Sequence, residues 1–476
     1  MSLPVPKQWE PLAAVPIVAG LWWLFAAAGG GWLFWALIPG VLMLAAGVGL
    51  LLWPGDLRLT EFMALGALLA LIVAVPVTLF GAFVEGLICA LLAAGAFLVS
   101  GRVALAQEQA VSGVPPPDAT IAVAAKAALD EALLAYFVGT ADLPSGERAQ
   151  RVCARAPLME KAMQDAGFAE QPELLHKTPP APERVYAQQA RLYGYAYERL
   201  SWDSGFVADA RIPGADAWME HRDNRQVTAW MLRHPGPPRP WLVCVHGYRM
   251  GHAWMDLGLF PPRWLHEQLG VNLLMPTLPL HGSRRMGWRS GDGFLDGDPF
   301  DLIFAETQAV WDLRRAIAYL RAQEESPRIG VLGYSLGGYN TAMLAQYETG
   351  LDFAIAGIPA VDLAGALWRH LQPWHRGYYA AQGLTLERYR NILRSVSPVA
   401  RPPKLPRERL YLFAGVADRV VLPEQVAALS KHWDVPVQWY QGAHLTFRHE
   451  PLVRQHIEAA MQRAGWPVSA ELILAR

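Results

Sequence analysis

The hydropathy pattern divides the chain into an apolar N-terminal part, a polar, alanine-rich middle and a long segment of short alternating elements. Charged residues are almost absent between Pro11 and Ser100, and glycine or proline breaks interrupt this apolar region. Because a bilayer core takes about 20 apolar residues per spanning helix, residues 1–102 are predicted to form a transmembrane region. Its four predicted helices lie near 12–28, 32–53, 62–80 and 83–100.

Basic residues predict the orientation of these helices. Lys7, Arg58 and Arg102 fall on one side of a four-helix arrangement, and the positive-inside rule makes that side cytoplasmic. The chain is therefore expected to be a multi-pass membrane protein with its C-terminal part in the cytoplasm. A signal peptide over residues 1–31 fits less well, because apolar segments continue to residue 100. Glu85 is expected at a turn or interface rather than at a functional intramembrane site.

Residues 103–195 are richer in charge and alanine, with proline clusters at 115–117 and 179–182. Helical spacing recurs in the segments 121–138 and 184–197. This part is predicted to be a helical connector, and no catalytic constellation is recognisable in it.

Residues 196–476 alternate short apolar runs with helical patterns, which predicts βαβ units and a mostly parallel sheet with helices on both faces. The first two runs are polar enough to be antiparallel edge strands. A helix over 306–321 is expected to bury one apolar face. The eight predicted strands are 197–201, 227–233, 241–245, 271–275, 329–333, 353–358, 410–414 and 437–440.

The fifth of these strands leads into Gly333-Tyr334-Ser335-Leu336-Gly337, which is followed by a helical pattern. This is the G-x-S-x-G nucleophile elbow, in which a serine sits on a strained strand-to-helix turn above the sheet. The two glycines allow the strand and the helix to approach closely. Ser335 is the predicted nucleophile, and the N–H of Leu336 is a predicted oxyanion-hole donor.

Three further features follow predicted strands, where ligands of a doubly wound sheet bind. His246-Gly247-Tyr248 follows the third strand, and the N–H of Tyr248 is the second predicted oxyanion donor. Asp418 follows the seventh strand and His444 the eighth. His444 is the predicted general base, oriented by Asp418.

Other residues of the same types compete for two of these roles. Asp362, after the sixth strand, is the alternative acid, and Asp418 could instead cap the following helix. His449 and His456 are the alternative bases, but each lies in or beyond a helical run.

The order Ser335, Asp418, His444 is that of the α/β-hydrolase triad. On the motifs HGYRMG, GYSLGG, AGVADRVV and GAHL, residues 197–470 resemble the α/β-hydrolase superfamily, in particular its bacterial esterase, lipase and peptidase-like members. The resemblance implies an α/β-hydrolase fold with an eight-stranded, mostly parallel sheet, a covalent acyl-serine intermediate and no cofactor. It does not specify the substrate.

Composition narrows the possible partners. The 41 Lys and Arg residues nearly balance the 42 Asp and Glu residues and form no basic run, so nucleic acid is not an expected partner. The three cysteines lack the spacing of metal ligands and are expected to be free thiols, and no metal is predicted.

Two segments bear on specificity. Residues 363–400 occupy the place of a lid insertion, and their large side chains either line a substrate channel, touch the membrane or pack as ordinary helices. These side chains are Trp368, Leu371, Trp374, Tyr378 and Tyr379. Arg284, Arg285 and Arg289 either hold an anionic head group or, the favoured interpretation, belong to a solvated loop with internal ion pairs.

These predictions combine into a membrane-anchored serine hydrolase that cleaves carboxylic esters, with lipid-like or acyl esters and the bilayer as its expected partners. An acyltransferase or a peptidase using the same triad, and a non-catalytic membrane binding protein, are the alternatives.

Overall fold

The structure, a computed structural model, describes residues 11–467. It divides into two compact units. The helical unit comprises described residues 11–141 together with Ala414–Glu424 and Trp439–Glu450. The sheet unit comprises Asp142–Phe413, Gln425–Gln438 and residues 451–467.

Four helices of the helical unit are long and apolar enough to cross a membrane, in agreement with the predicted number. Asp56 caps the third of them by accepting a hydrogen bond from the N–H of Arg58, so this helix begins five residues before its predicted start. Glu85 lies exposed in the first turn of the fourth. The helices are α1 (Ala14–Gly30), α2 (Leu33–Leu52), α3 (Leu57–Phe80) and α4 (Phe83–Ala106).

Small side chains hold these helices together. The buried cluster at their centre is mostly alanine, with Trp23 and Met43 as its large members. The indole of Trp23 donates a hydrogen bond to the carbonyl of Cys89, 3.0 Å away. Large apolar side chains such as Phe25 and Phe34 are exposed instead, as expected for a surface that faces lipid.

A fifth helix, α5 (Ile121–Thr140), packs against α3 and α4. Thr120 caps its N-terminus, since its hydroxyl accepts a hydrogen bond from the N–H of Val123 at 3.2 Å. Helix α5 confirms the predicted helix over 121–138.

Within residues 11–467 the sheet has nine strands rather than the predicted eight, in the order β1-β2-β3-β5-β4-β6-β7-β8-β9. Its central pairs, from β5 through β8, are parallel, whereas β1, β2 and β3 pair antiparallel. The strands are β1 (Tyr186–Leu192), β2 (Tyr195–Asp203), β3 (Gln226–Leu232), β4 (Trp241–Val245), β5 (Asn272–Pro276), β6 (Ile329–Tyr334), β7 (Phe353–Gly357), β8 (Leu410–Gly415) and β9 (Val437–Tyr440).

The additional strand, β1, lies where the sequence pattern predicted a helix over 184–197, and that prediction was wrong. β1 and β2 form a hairpin around Tyr193 and Gly194, whose φ angles are 53° and 83°. Two successive positive φ values are typical of the type I′ turn that joins antiparallel strands. Most β1 side chains are exposed, so the strand lacks the alternation of apolar and polar residues that would have identified it.

Helices cover the sheet and form the segment after β7. The long helix α9 (Asp301–Gln323) buries the predicted apolar face of Val310, Leu313, Ile317 and Leu320. The remaining helices are α6 (Gly146–Asp165), α7 (Ala215–Met219), α8 (Ala253–Leu259), α10 (Leu336–Tyr347), α11 (Leu363–His370), α12 (Pro373–Ala381), α13 (Leu386–Leu393), α14 (Pro423–Trp433) and α15 (Pro451–Arg463).

Candidate active site

The G-x-S-x-G segment forms the strained turn that its sequence predicts. Ser335 joins β6 to α10 with φ 59° and ψ −117°, a backbone conformation that costs energy for any residue with a side chain. The flanking glycines are required by space. A Cβ on Gly333 would lie 2.1 Å from the carbonyl oxygen of Gly337, and one on Gly337 would lie 1.9 Å from that of Val245.

Ser335 is also distinguished by exposure. Every residue from Ile329 to Glu348 is buried except Ser335, which is half-buried. Its backbone is held on both sides, because its N–H donates to the carbonyl of Gly357 at 3.0 Å and its carbonyl accepts from the N–H of Tyr339 at 2.9 Å. The turn therefore presents a single accessible side chain, a hydroxyl, on an otherwise closed scaffold.

The predicted oxyanion turn after β4 lies in the same unit. His246 Nε2 accepts a hydrogen bond from the N–H of Leu278 at 3.1 Å, and Nδ1 lies 2.8 Å from the carbonyl of Gly247. Both ring nitrogens are therefore engaged, with the proton on Nδ1, and His246 serves the turn rather than acting as a base. The guanidinium of Arg249 covers the ring of Tyr248 at 4.7 Å.

Asp418 and His444 lie together in the helical unit. His444 Nδ1 is 2.8 Å from Asp418 Oδ2, and both side chains are buried. The other carboxylate oxygen, Oδ1, accepts from the N–H groups of Val420 and Val421 at 3.0 and 2.8 Å. The backbone thus orients Asp418, and Asp418 in turn requires the proton of the imidazole on Nδ1, which leaves Nε2 as the basic nitrogen.

The residues that compete with Asp418 and His444 for the roles of acid and base lie in different surroundings. Asp362 caps α11 by accepting from the N–H of Gly365 at 2.8 Å and forms an ion pair with Arg390. His449 is exposed. His456 packs against the ring of Tyr411, and burial lowers the pKa of its imidazole to about 4.

Sequence reasoning missed two residues of the neighbouring α5. Asp130 Oδ2 accepts hydrogen bonds from the backbone N–H groups of His444 and Arg419, at 2.7 and 3.0 Å. Glu131, the next residue, forms an ion pair with the Arg419 side chain at 2.7 Å. The available signal was two adjacent carboxylates in the middle of an otherwise apolar helical pattern, because such groups are rarely buried without partners.

These charges tune the candidate base. Burial by itself lowers the pKa of His444, but the Asp418 and Asp130 carboxylates outweigh it, and the pKa of His444 is raised above its ordinary value. Burial raises the pKa of the Asp130 carboxyl to about 7, with the charge of Asp418 acting in the same direction.

Comparison with known proteins shows to which family the chain belongs. Residues 306–449 match the prolyl oligopeptidase family of S9 peptidases. Two uncharacterized proteins of Mycobacterium tuberculosis, from strains CDC 1551 / Oshkosh and ATCC 25618 / H37Rv, are each 36% identical to the chain over 348 residues, covering 73% of this chain and 83% of each relative. The chain belongs to the α/β-hydrolase superfamily, in one family with these mycobacterial proteins. Its class of chemistry is that of a serine hydrolase.

Solved structures similar to this hydrolase include esterases and peptidases. An acetyl xylan esterase from Paenibacillus sp. R4 matches with a TM-score of 0.43 and 17% identity, covering 63% of this chain and 92% of that chain. Oligopeptidase B from Leishmania major matches with a TM-score of 0.34 and 14% identity, covering 59% of this chain and 36% of that chain. Neither TM-score reaches 0.5, so the reactions of these enzymes are not transferred to this hydrolase.

Part of the hydrolase segment predicted as a lid borders a cavity. Helices α11, α12 and α13 occupy this region, and Trp368, Leu371 and Tyr379 line an apolar cavity of about 60 Å³. Trp374 is exposed. Phe294 forms another wall of the cavity, and its ring contacts His281, whose ring contacts Tyr248 of the predicted oxyanion turn.

The three arginines after β5 do not form one anion site. Arg284 is fully buried and pairs with Asp312 at 2.7 Å, so it belongs to the interior of the hydrolase domain. Arg289 pairs with Asp292 at 3.1 Å, which agrees with the predicted internal ion pairs, whereas Arg285 is exposed.

Within residues 11–467, no group of three or more His, Cys, Asp or Glu side chains is arranged to hold a metal ion. The three cysteines in this range are buried free thiols.

Proposed function

We propose that this chain is a membrane-anchored carboxylic-ester hydrolase that uses Ser335, His444 and Asp418 as its catalytic triad. The observation that carries the proposal is the elbow, where a strained backbone presents the Ser335 hydroxyl as the one accessible side chain of a buried strand and helix. The hydrogen-bonded pair of Asp418 and His444 supports the proposal, because a serine nucleophile needs a general base that is itself oriented by a carboxylate.

The reaction proceeds in two steps. The Ser335 oxygen attacks the carbonyl carbon of the ester while Nε2 of His444 accepts the hydroxyl proton, and that proton is then given to the departing alcohol. The N–H groups of Tyr248 and Leu336 stabilise the oxyanion of the tetrahedral intermediate, a contribution of roughly 3–4 kcal/mol per donor in such sites. Water then attacks the acyl-serine while His444 takes its proton, and His444 returns that proton to the Ser335 oxygen as the carboxylic acid leaves.

Asp418 makes His444 effective in both steps. It keeps the imidazole proton on Nδ1 and stabilises the imidazolium that forms when Nε2 is protonated. Because the pKa of His444 is raised, the neutral base becomes available only above that pKa, and activity is expected to fall as the pH decreases through it.

Two features support a lipid-like or acyl ester as the substrate. The lining of the cavity beside Trp368 and Leu371 is mostly apolar, which favours an apolar group in the substrate. In the part of the chain that the structure describes, four helices are long and apolar enough to cross a membrane, and a membrane anchor would hold the enzyme where lipid esters are concentrated. We place the catalytic part in the cytoplasm, on the positive-inside argument from Arg58 and Arg102.

The test is labelling of the detergent-solubilised protein with a fluorophosphonate, followed by identification of the modified peptide. We expect an adduct on Ser335 that disappears in Ser335→Ala and is strongly slowed in His444→Ala. His456→Ala is the matched control and should label like the parent. A folded parent protein that takes no label would contradict the proposal and favour a non-catalytic binding protein.

A peptidase is the second candidate, and the match of residues 306–449 to the prolyl oligopeptidase family favours it. Matched ester and amide substrates with the same acyl group separate the two functions. An esterase should hydrolyse the ester far faster, whereas comparable turnover of the amide would favour the peptidase. Added alcohol acceptors in the same assay test for acyl transfer, which would yield a new ester instead of the free acid.

A further inference from the structure

Two carboxylates are buried side by side in the middle of α5. Asp130 is 0% exposed and Glu131 is 1% exposed, although burying a carboxylate is costly unless it has partners. α5 belongs to the predicted connector and precedes the α/β-hydrolase segment in sequence. The hydrogen-bond partners of these two side chains show which segments of the protein they hold.

All three hydrogen bonds of Asp130 go to backbone N–H groups of the two loops that carry the acid and the base. Oδ2 accepts from His444 at 2.7 Å and from Arg419 at 3.0 Å. Oδ1 accepts from Leu445 at 3.0 Å. A single carboxylate therefore holds the backbone of His444 itself and of the residue directly after Asp418.

Glu131 also binds the loop after Asp418, through the side chain of Arg419. Arg419 donates from Nε to Glu131 at 2.7 Å and from Nη1 to Glu108 at 2.8 Å. Glu131 also accepts a hydrogen bond from the Thr60 hydroxyl of α3 at 2.7 Å. The loop after Asp418 is thus tied directly to α5 and to Glu108, and through Glu131 to α3.

We propose that Asp130 is a positioning residue for the reaction, holding His444 and the Asp418 loop in their working register and placing a negative charge beside the imidazolium that forms during turnover. This role rests on the proposed function above. Asp130 accepts its hydrogen bonds from backbone N–H groups, and it acts through the backbone of His444. Helix α5, which precedes the α/β-hydrolase segment in sequence, therefore contributes to the acid–base machinery.

Helix α5 makes a second contact with the His444 loop that involves neither His444 nor Asp418. Lys126, one turn earlier on α5, also binds the His444 loop, through the carbonyl of Gln441 at 3.0 Å and through Glu450. Neither of these contacts involves His444 or Asp418. Lys126 therefore serves as the matched control for a contact between the same helix and the same loop.

Several other charged or titratable groups belong to the network of contacts around these two loops and must stay unchanged in the comparison. Asp418 and Arg419 lie on the loop after β8, and Tyr440 lies at the end of β9. The carboxylates on the remaining elements of this network are Glu131, Glu108 and Glu450.

The experiment measures the rate of fluorophosphonate labelling and of ester hydrolysis over a pH series for the full-length protein and for Asp130→Asn. The variant keeps the shape of the side chain but loses the charge and one acceptor. We expect kcat to fall by at least about tenfold with little change in KM, and the acidic limb of the rate profile to move to lower pH by roughly one unit of pH, because an opposite charge near His444 is lost. Lys126→Met should leave the position of that limb unchanged.

Other outcomes would overturn the proposal. An Asp130→Asn protein with the parent's pH profile, and a rate reduced only in proportion to its folded fraction, would show a structural role alone. Asp130→Ser provides a second neutral variant if the asparagine variant does not fold, and it should shift the same limb in the same direction. A parent that takes no label at Ser335 refutes the proposed function and this role together, whereas a labelled parent with unshifted variants refutes this role only.

Discussion

Asp418→Asn is the sharpest test of the proposed triad, because the structure predicts which way the new amide will face. Asp418 Oδ1 accepts two backbone N–H groups, from Val420 and Val421. The amide oxygen of asparagine must take that position, since an NH₂ group there would meet two donors. The NH₂ group therefore faces His444 Nδ1, where Oδ2 lies 2.8 Å away in the parent.

This orientation reverses the tautomer of His444. An NH₂ group can only donate to Nδ1, so the imidazole proton moves to Nε2. Nε2 then cannot accept the proton of Ser335. The loss of the correct tautomer typically costs ~10⁴-fold in kcat in a serine triad, which corresponds to about 5 kcal/mol of transition-state stabilisation. Folding should be affected far less, because the two backbone hydrogen bonds at Oδ1 are kept.

The assay compares kcat for an activated ester and the fluorophosphonate labelling rate in the parent, Asp418→Asn and Asp362→Asn. Asp362 is the matched control, since it caps α11 and pairs with Arg390, and its variant should stay within a few-fold of the parent. A folded Asp418→Asn protein with near-parental kcat would refute the reasoning. Loss of activity in Asp362→Asn alone would instead make Asp362 the acid of the triad.

Three other substitutions test the structure around the site. Arg284→Met should destabilise the fold by about 3–5 kcal/mol in chemical denaturation, because it leaves the buried Asp312 carboxylate without its cation; an unchanged midpoint would contradict the buried pair. Burial raises the pKa of Glu306 well above 4.5. As the pH rises above 4.5 and through that raised pKa, the free energy of unfolding of the parent should therefore fall relative to that of Glu306→Gln. A difference in unfolding free energy that does not vary with pH would contradict the raised pKa. Gly337→Ala should abolish labelling of Ser335, because its Cβ would lie 1.9 Å from the carbonyl oxygen of Val245; a variant that labels normally would mean that the elbow tolerates a side chain.

Local patterns in the sequence were enough to predict most of the sheet and the separate parts of the candidate site. All eight predicted strands are present, and the G-x-S-x-G turn has the strained geometry that its glycines predict. Four apolar stretches correspond to four long helices. These features are local: a buried strand, an apolar helix or a glycine-dependent turn is encoded by residues close together in sequence.

Tertiary structure decided the features that depend on partners far apart in sequence. β1 has an exposed, polar surface and is a strand because it pairs with β2. The favoured interpretation of the sequence placed Arg284 in a solvated loop, but Arg284 is fully buried and its partner Asp312 lies on α9.

Asp130 shows the same limit within the candidate site. It is separated by 314 residues from His444, whose N–H it accepts. The sequence by itself determined which residue types stand at the strand ends and in what order. Only the folded chain decided which charges meet there, because the energy of a buried charge depends on the neighbours that folding places around it.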